Sequence, residues 1–362
     1  MITTESVRRT DGGASNRPRW IHSPRVDGAL AFAWLPFALV AHAVAADADR
    51  LALLLGATFL LSFLHQPLTL PLVYGDPAQL AARRRLFVLS PIVFVVAISG
   101  GLLVSLTSVA IVAGLWNAEH TLMQRFGVTR IYGRKVGQDD GGLEKAMLVS
   151  WLVLALVWVA ADTHTPARVD ALPLGDTNAN GLHVLTDLRP WALLLLAPTA
   201  IVVVVLAARW VLAERDRWRQ GVGNPAKLLY VGATAALFGW ILVDPVAGFV
   251  GYVGAHALEY FVIVHRSISS RFTDGSGGAL GRVVRRPTGR RWFFGGYLAA
   301  FAALVFVERS FGSPEVYTFT VLLLGGLHVF YDGLIWKLRK PAVARGLVEQ
   351  PTLQPIAAVA SA

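Results

Sequence analysis

Cysteine is absent from the 362 residues, which excludes disulfides, thiolate metal ligands and a cysteine nucleophile together. Charge is scarce as well. Asp, Glu, Lys and Arg make up 15% of the chain against 55% hydrophobic residues, where soluble domains carry roughly a quarter charged residues. A water-facing surface cannot be built from this composition, so lipid is the main solvent. The sequence also has no glycine-rich phosphate loop ending in Lys-Ser or Lys-Thr, no dinucleotide fingerprint, no serine elbow and no internal repeat. These absences argue against an ATP-driven pump. Any metal site has to be made from His, Asp, Glu and Gln.

What is present is a series of long apolar runs. Crossing the hydrocarbon core takes about 20 mostly apolar residues as a helix, and ten stretches qualify: 28–46, 51–73, 86–105, 107–126, 145–161, 190–212, 226–244, 246–265, 292–307 and 316–336. As one helix, 86–126 would be about 61 Å long, twice the membrane, and Ser99-Gly100-Gly101 or Leu106-Thr107-Ser108 can carry the turn that divides it. Asp244-Pro245 divides 226–265, because proline breaks a helix and an acid marks the interface. Pro67 and Pro71 are positioned to unwind the second span.

The expected fold is therefore all-α, a polytopic bundle of about ten transmembrane helices. Basic residues are retained in the cytoplasm, and all but four of the 33 Lys and Arg fall in one set of alternate segments; the four are Arg50, Arg168, Arg189 and Arg309. That split puts both termini on the cytoplasmic side and explains the net charge of +10 without nucleic acid. The organisation reads as a basic, partly disordered N-terminal segment (1–27), a transmembrane domain (28–337) with an outer loop at 163–189 and an inner loop at 266–291, and a tail (338–362). Ala43-Val44-Ala45-Ala46 imitates a signal-peptide cleavage site. The basic region before it and the apolar run are both longer than a signal peptide uses, so this stretch is read as the first span.

Ionisable side chains inside a membrane cost about 2.5–3.5 kcal/mol each on insertion scales and mark function when they occur. The second span carries His65, the fourth Glu119, His120 and Gln124, the eighth His256 and Glu259, and the tenth His328 and Asp332. All four run from outside to inside, and these residues lie about 10 to 16 positions from the outer ends. At 1.5 Å per residue they form a layer about 9 Å thick in the cytoplasmic half. Residues three or four apart share a helix face, which pairs His120 with Gln124, His256 with Glu259, and His328 with Asp332. Glu119 and His120 diverge by about 100°.

Imidazoles with carboxylates form the ligand set that suits iron, zinc or manganese, and a helix-borne Glu and His at i and i+3 is also how carboxylate-bridged di-iron centres are built. His65, His120, His256 and His328 are the candidate metal ligands. Glu119, Glu259 and Asp332 are the candidate catalytic groups, and Asn117, Gln124, Tyr260 and Tyr331 the candidate outer shell. Three other readings stay open: an interhelical hydrogen-bond network without a metal, a transporter using the same groups for proton or cation coupling, and a bis-histidine haem site.

Two flanking segments, Trp20 to Asp27 and Gln124 to Lys135, lie at the cytoplasmic ends of the bundle. They serve as topology anchors, cap the site, or bind an anionic headgroup or a cofactor phosphate; His22 is an additional candidate ligand. In the outer loop, Asp176, Asn178 and Asn180 with Gly181 and Asp187 match the start of a calcium loop, with Asp in place of the usual Glu at position twelve.

Isolated His residues scattered over many apolar helices, with acids one turn away, resemble the integral-membrane histidine-rich non-haem iron enzymes, and loosely the bacterial Brp/Blh type that cleaves carotene. The clustered HxxxH and HxxHH boxes of membrane desaturases and hydroxylases are missing. The resemblance implies a metal ion, iron by preference, activating oxygen in the cytoplasmic half of a plasma-membrane protein. His65, His120, His256 and His328 would be ligands, with Glu259 and Asp332 as ligands or bases. The implied partners are membrane lipids, a hydrophobic small molecule such as a carotenoid, isoprenoid or acyl chain, and a redox partner on the cytoplasmic side.

Overall fold

A computed structural model describes residues 19–172, 176–272, 277–337 and 347–348. The chain is an all-α polytopic membrane bundle, with no strand among the described residues. In chain order the helices are α1 (Pro24–Ala31), α2 (Trp34–Val44), α3 (Ala48–His65), α4 (Thr69–Tyr74), α5 (Pro77–Ala82), α6 (Arg84–Val104), α7 (Leu106–Lys135) and α8 (Gly142–Ala161). They continue with α9 (Thr165–Asp170), α10 (Asp176–Asp187), α11 (Arg189–Arg219), α12 (Pro225–Val243), α13 (Pro245–Arg271), α14 (Gly278–Val284), α15 (Pro287–Phe311) and α16 (Pro314–Ile335).

Among the described residues nine segments are long and apolar enough to cross a membrane: α1–α2 together, α3–α4 together, α6, α8, α11, α12, α13, α15 and α16. The tenth expected span lies within α7, which is 30 residues long but falls short in apolarity because Asn117, Glu119, His120 and Gln124 occupy its middle. It sits among α6, α8, α12, α13 and α16, so its polar stretch faces protein as well as lipid.

The breaks follow from local chemistry. The long run divides at Ser105, whose hydroxyl accepts the Ser108 amide at 3.1 Å and caps α7. Pro245 starts α13 and the Asp244 carboxylate accepts the Ala247 amide at 3.1 Å. The second span is unwound as its prolines suggest: α3 stops at His65, a 3-10 turn covers Gln66–Leu68 with Pro67 inside it, and α4 begins at Thr69.

The 163–189 segment differs from expectation. It contains α9 and α10, and the stretch from Asp176 to Asp187 is one continuous helix. Alternate positions of a helix are turned about 200° apart, whereas a calcium loop wraps its backbone around the ion. Asp176, Asn178, Asn180 and Asp187 therefore do not form a calcium loop. Much of the inner loop is helical too, with α13 running to Arg271 and α14 inserted before α15.

The hub is α13, two thirds buried along its apolar window, whereas α11 and α15 bury only 6% of theirs and face lipid. Small residues let other helices approach α13 closely, the usual device of membrane packing. A Cβ on Gly251 would lie 2.9 Å from the Trp34 carbonyl, and one on Gly254 2.7 Å from the Phe37 ring. This close contact with α2 fixes the rotation of α13. Tyr252 and Ala255 join an apolar cluster with Trp34, Leu122, Leu237 and Phe238; Tyr260 and Val264 join another with Leu68, Leu72, Leu327 and Tyr331. His256 lies at the seam between them.

Candidate metal centre

The four intramembrane histidines meet at that seam. His65 ends α3, His120 lies in α7, His256 in α13 and His328 in α16, and none is more than 7% exposed. The Nε2 of His328 is 3.2 Å from that of His65 and 3.1 Å from that of His120. The His256 ring stands edge to face with His65 and His120, at centroid separations of 4.7 and 5.1 Å. Asp332, one turn beyond His328, brings its Oδ2 to 3.7 Å from the His328 Nε2 and 3.8 Å from the His120 Nε2. Two triads result whose ligand atoms lie within 4.8 Å of one another: His65, His256 and His328, and His120, His328 and Asp332.

Thr69 orients this set. Its hydroxyl donates to Asp332 Oδ1 at 3.2 Å, and the Tyr260 hydroxyl donates to the same oxygen at 3.0 Å. The Thr69 oxygen is also 2.7 Å from His328 Nδ1. With its own proton given to the carboxylate, Thr69 accepts from the Nδ1–H, so the Nε2 of His328 keeps its lone pair. This hydroxyl-spaced carboxylate–histidine pair does the work of the outer-shell hydrogen bond that fixes tautomer and ring orientation at metal centres. The break after His65 makes it possible, because α4 starts with Thr69 beside α16.

The residues fit a metal ion. Nitrogen separations of 3.1–3.2 Å, taken with metal–nitrogen bonds of about 2.1 Å, subtend about 95–100° at the metal, between octahedral and tetrahedral angles. Hydrogen bonding within the protein cannot satisfy the same atoms. The His328 Nε2 has one in-plane lone pair and two imidazoles competing for it. Both ring nitrogens of His256 are buried without a partner, and an orphaned buried polar atom costs about 1–3 kcal/mol.

Other candidate residues lie elsewhere. Glu259, expected as ligand or base, is bound by Arg125 Nη2 at 2.9 Å, the Tyr230 hydroxyl at 2.8 Å and Gln124 Nε2 at 3.3 Å. Arg125 is fully buried and reaches Thr234 with its other terminal nitrogen. With Glu259 committed to a guanidinium and Asp332 the sole carboxylate in either triad, the arrangement suits one metal ion and not a carboxylate-bridged pair. Glu119 is exposed, turned about 100° around α7 from His120, and joins neither triad.

Gln124 acts at one remove, donating to the His256 carbonyl at 3.1 Å. Tyr260 is in the outer shell, but Tyr331 is not: its hydroxyl joins Tyr74 and Ser90. The Asn117 side chain makes no hydrogen bond among the described residues and has no visible role at the site. His22 lies near Lys135 and Arg266, away from the centre.

Sequence reasoning missed Thr69, Arg125, Tyr230 and Thr234. Thr69 was hidden by the helix break, and Arg125 by its place in a basic run that read as a topology anchor. No protein-family model matches the chain, and no curated protein or solved structure matches it either.

Proposed function

We propose that this chain is an integral-membrane metalloenzyme, an iron-dependent oxidoreductase of the oxygenase type acting on a hydrophobic carotenoid, isoprenoid or acyl substrate drawn from the bilayer. One observation carries the reading: four buried imidazoles and Asp332 converge, and the nitrogens of His256 have no partner in the protein. His65, His120, His256 and His328 would hold the ion, with Asp332 Oδ2 as fifth donor. Bound iron would supply redox chemistry with dioxygen.

The protein's own part is to hold His328 in its ligating tautomer through Thr69, to exclude water by burial, and to keep the Tyr260 hydroxyl on Asp332. The distribution of Lys and Arg favours cytoplasmic termini; with the plasma membrane as the proposed location, electrons would arrive from a redox partner on the cytoplasmic face. A second reading, proton- or cation-coupled transport, is favoured by the unbroken chain from His120 and His65 through His328 and Thr69 to Asp332, every step 3.2 Å or less.

Elemental analysis of detergent-purified protein beside a His120→Ala/His256→Ala double variant separates the two readings. Near-stoichiometric iron in the parent, lost in the variant while the protein stays monodisperse, is expected. A parent that stays metal-free after anaerobic iron(II) loading removes the metalloenzyme reading and leaves transport.

A further inference from the structure

We propose a second site, for an anion of phosphate chemistry, at a cationic cluster where the segment before α1 meets the ends of α7 and α13. Lys135 closes α7, Arg266 and His265 lie near the end of α13, and His22 precedes α1. The four groups are within electrostatic reach of one another: Arg266, His265 and Lys135 all act on the His22 imidazole, and Arg266 acts on Lys135. The His22 pKa is lowered, by burial first and then by these neighbours, with Asp27 opposing.

Among the described residues their donors lack an anionic acceptor. Lys135 is 1% exposed, yet its ammonium donates to a backbone carbonyl, that of Val348, at 2.9 Å. The Nε of Arg266 and the Nε2 of His22 are buried with no partner. Among the described residues neither Lys135 nor Arg266 has a carboxylate within salt-bridge distance. The nearby acid, Asp27, is already committed, accepting the amides of Ile21 at 2.6 Å and His22 at 3.0 Å with the Tyr132 hydroxyl against it.

A guanidinium, an ammonium and an imidazole, partly desolvated and without a paired carboxylate among the described residues, make an anion site. Guanidinium and ammonium donors are the usual pair for phosphate. Donors reaching in from three separate elements suit the non-coplanar oxygens of a phosphate better than the flat pair of a carboxylate. The cluster is about nine residues, or about 13.5 Å, along α13 from His256. The phosphate belongs either to a lipid headgroup or to a free phosphate compound.

Two binding measurements on the full chain separate these sources. The first titrates inorganic pyrophosphate into protein in neutral detergent; the second compares retention of phosphatidylglycerol with phosphatidylcholine by native mass spectrometry from mixed nanodiscs. Binding in either is expected to weaken about tenfold or more in Arg266→Gln, since a hydrogen bond to a charged group is worth that much. It is expected to survive in Lys135→Arg, which keeps the charge, and in Arg282→Gln, which removes an exposed arginine on the same side of the protein. Pyrophosphate binding identifies a soluble phosphate compound, and selective phosphatidylglycerol retention a lipid. Absence of both in the parent, or equal loss in Arg266→Gln and Arg282→Gln, overturns the site.

Discussion

Thr69→Val tests the central geometric argument with an almost isosteric change. Valine removes all three hydroxyl contacts, to His328 Nδ1, Tyr260 and Asp332. Tyr260 and Asp332 keep each other at 3.0 Å, so the one group left without a partner is the His328 Nδ1. The metal-free fold should therefore lose about 1–3 kcal/mol, the cost of a single orphaned buried donor. Metal binding should suffer separately. With nothing to accept the Nδ1 proton, the imidazole is free to move that proton to Nε2, the atom that faces His65 and His120. Loss of an outer-shell partner weakens metal affinity about 10–100-fold, or about 1.4–2.8 kcal/mol. Competition against a fluorescent zinc chelator, with zinc as a redox-silent probe, reads this directly. Thr69→Ser restores the hydroxyl and should restore binding. A folded Thr69→Val protein that binds zinc within about twofold of the parent would refute the tautomer argument, as would a serine variant as weak as valine.

Glu259→Gln keeps the contacts to Tyr230 and Gln124 but leaves Arg125 charged and unpaired, and breaking such a buried pair costs about 3–5 kcal/mol. Thermal unfolding in detergent should show that loss while folded protein retains its metal; metal loss at unchanged stability would return Glu259 to the ligand set. Lys227→Met removes one cation from a buried cluster in which Glu144 also meets Arg130 and Arg217, and Glu214 meets Arg217. A loss of about 1.5–3 kcal/mol is expected, the worth of a hydrogen bond to a charged group, partly recovered by adding Glu214→Gln, and its absence on denaturation would show the Lys227 contacts to be dispensable. Asp332→Asn keeps an acceptor for Tyr260 and removes the charge, so zinc affinity in the chelator assay should fall. Unchanged affinity would exclude Asp332 from the centre.

The layer of histidines was legible because it needs only helix periodicity and depth. His65, His120, His256 and His328 each sit at a position that a regular helix carries to the bundle interior, so counting residues from the outer ends was enough. Rotation about each axis was harder to read. Glu259 lies one turn from His256, and the i, i+3 rule puts both on one face, but that face is wide enough to meet two different neighbours. His256 turns to His65 and His120, whereas Glu259 turns to Arg125 and Tyr230. Whether an arginine at the end of a span points out to water or back into the bundle depends on what lies opposite, and only the packing of α7 against α12 and α13 supplies Thr234 and Glu259. The helix over Asp176–Asp187 was misread for a related reason: Asp, Asn and Gly favour turns as isolated residues, but the apolar positions Leu182, Val184 and Leu185 continue a helical pattern that prevails.

The distribution of buried charge bears on the metal more than any single distance does. Among the described residues six carboxylates are buried: Asp27, Asp76, Glu144, Glu214, Glu259 and Asp332. Asp76 is paired with Arg271, Glu144 with Arg130 and Lys227, Glu214 with Lys227, and Glu259 with Arg125. Asp27, at the start of α1, is held by backbone amides. Asp332 alone lies among imidazoles and hydroxyls with no guanidinium or ammonium beside it. Taking a lone carboxylate out of water costs several kcal/mol, and two hydroxyl donors offset only part of that. Of the other five buried carboxylates four have fixed cations and the fifth, Asp27, has backbone amides. At the point where four histidines meet, the fold supplies lone pairs and one negative charge, the complement of a divalent ion, whose own charge would hold the carboxylate ionised and the imidazoles neutral.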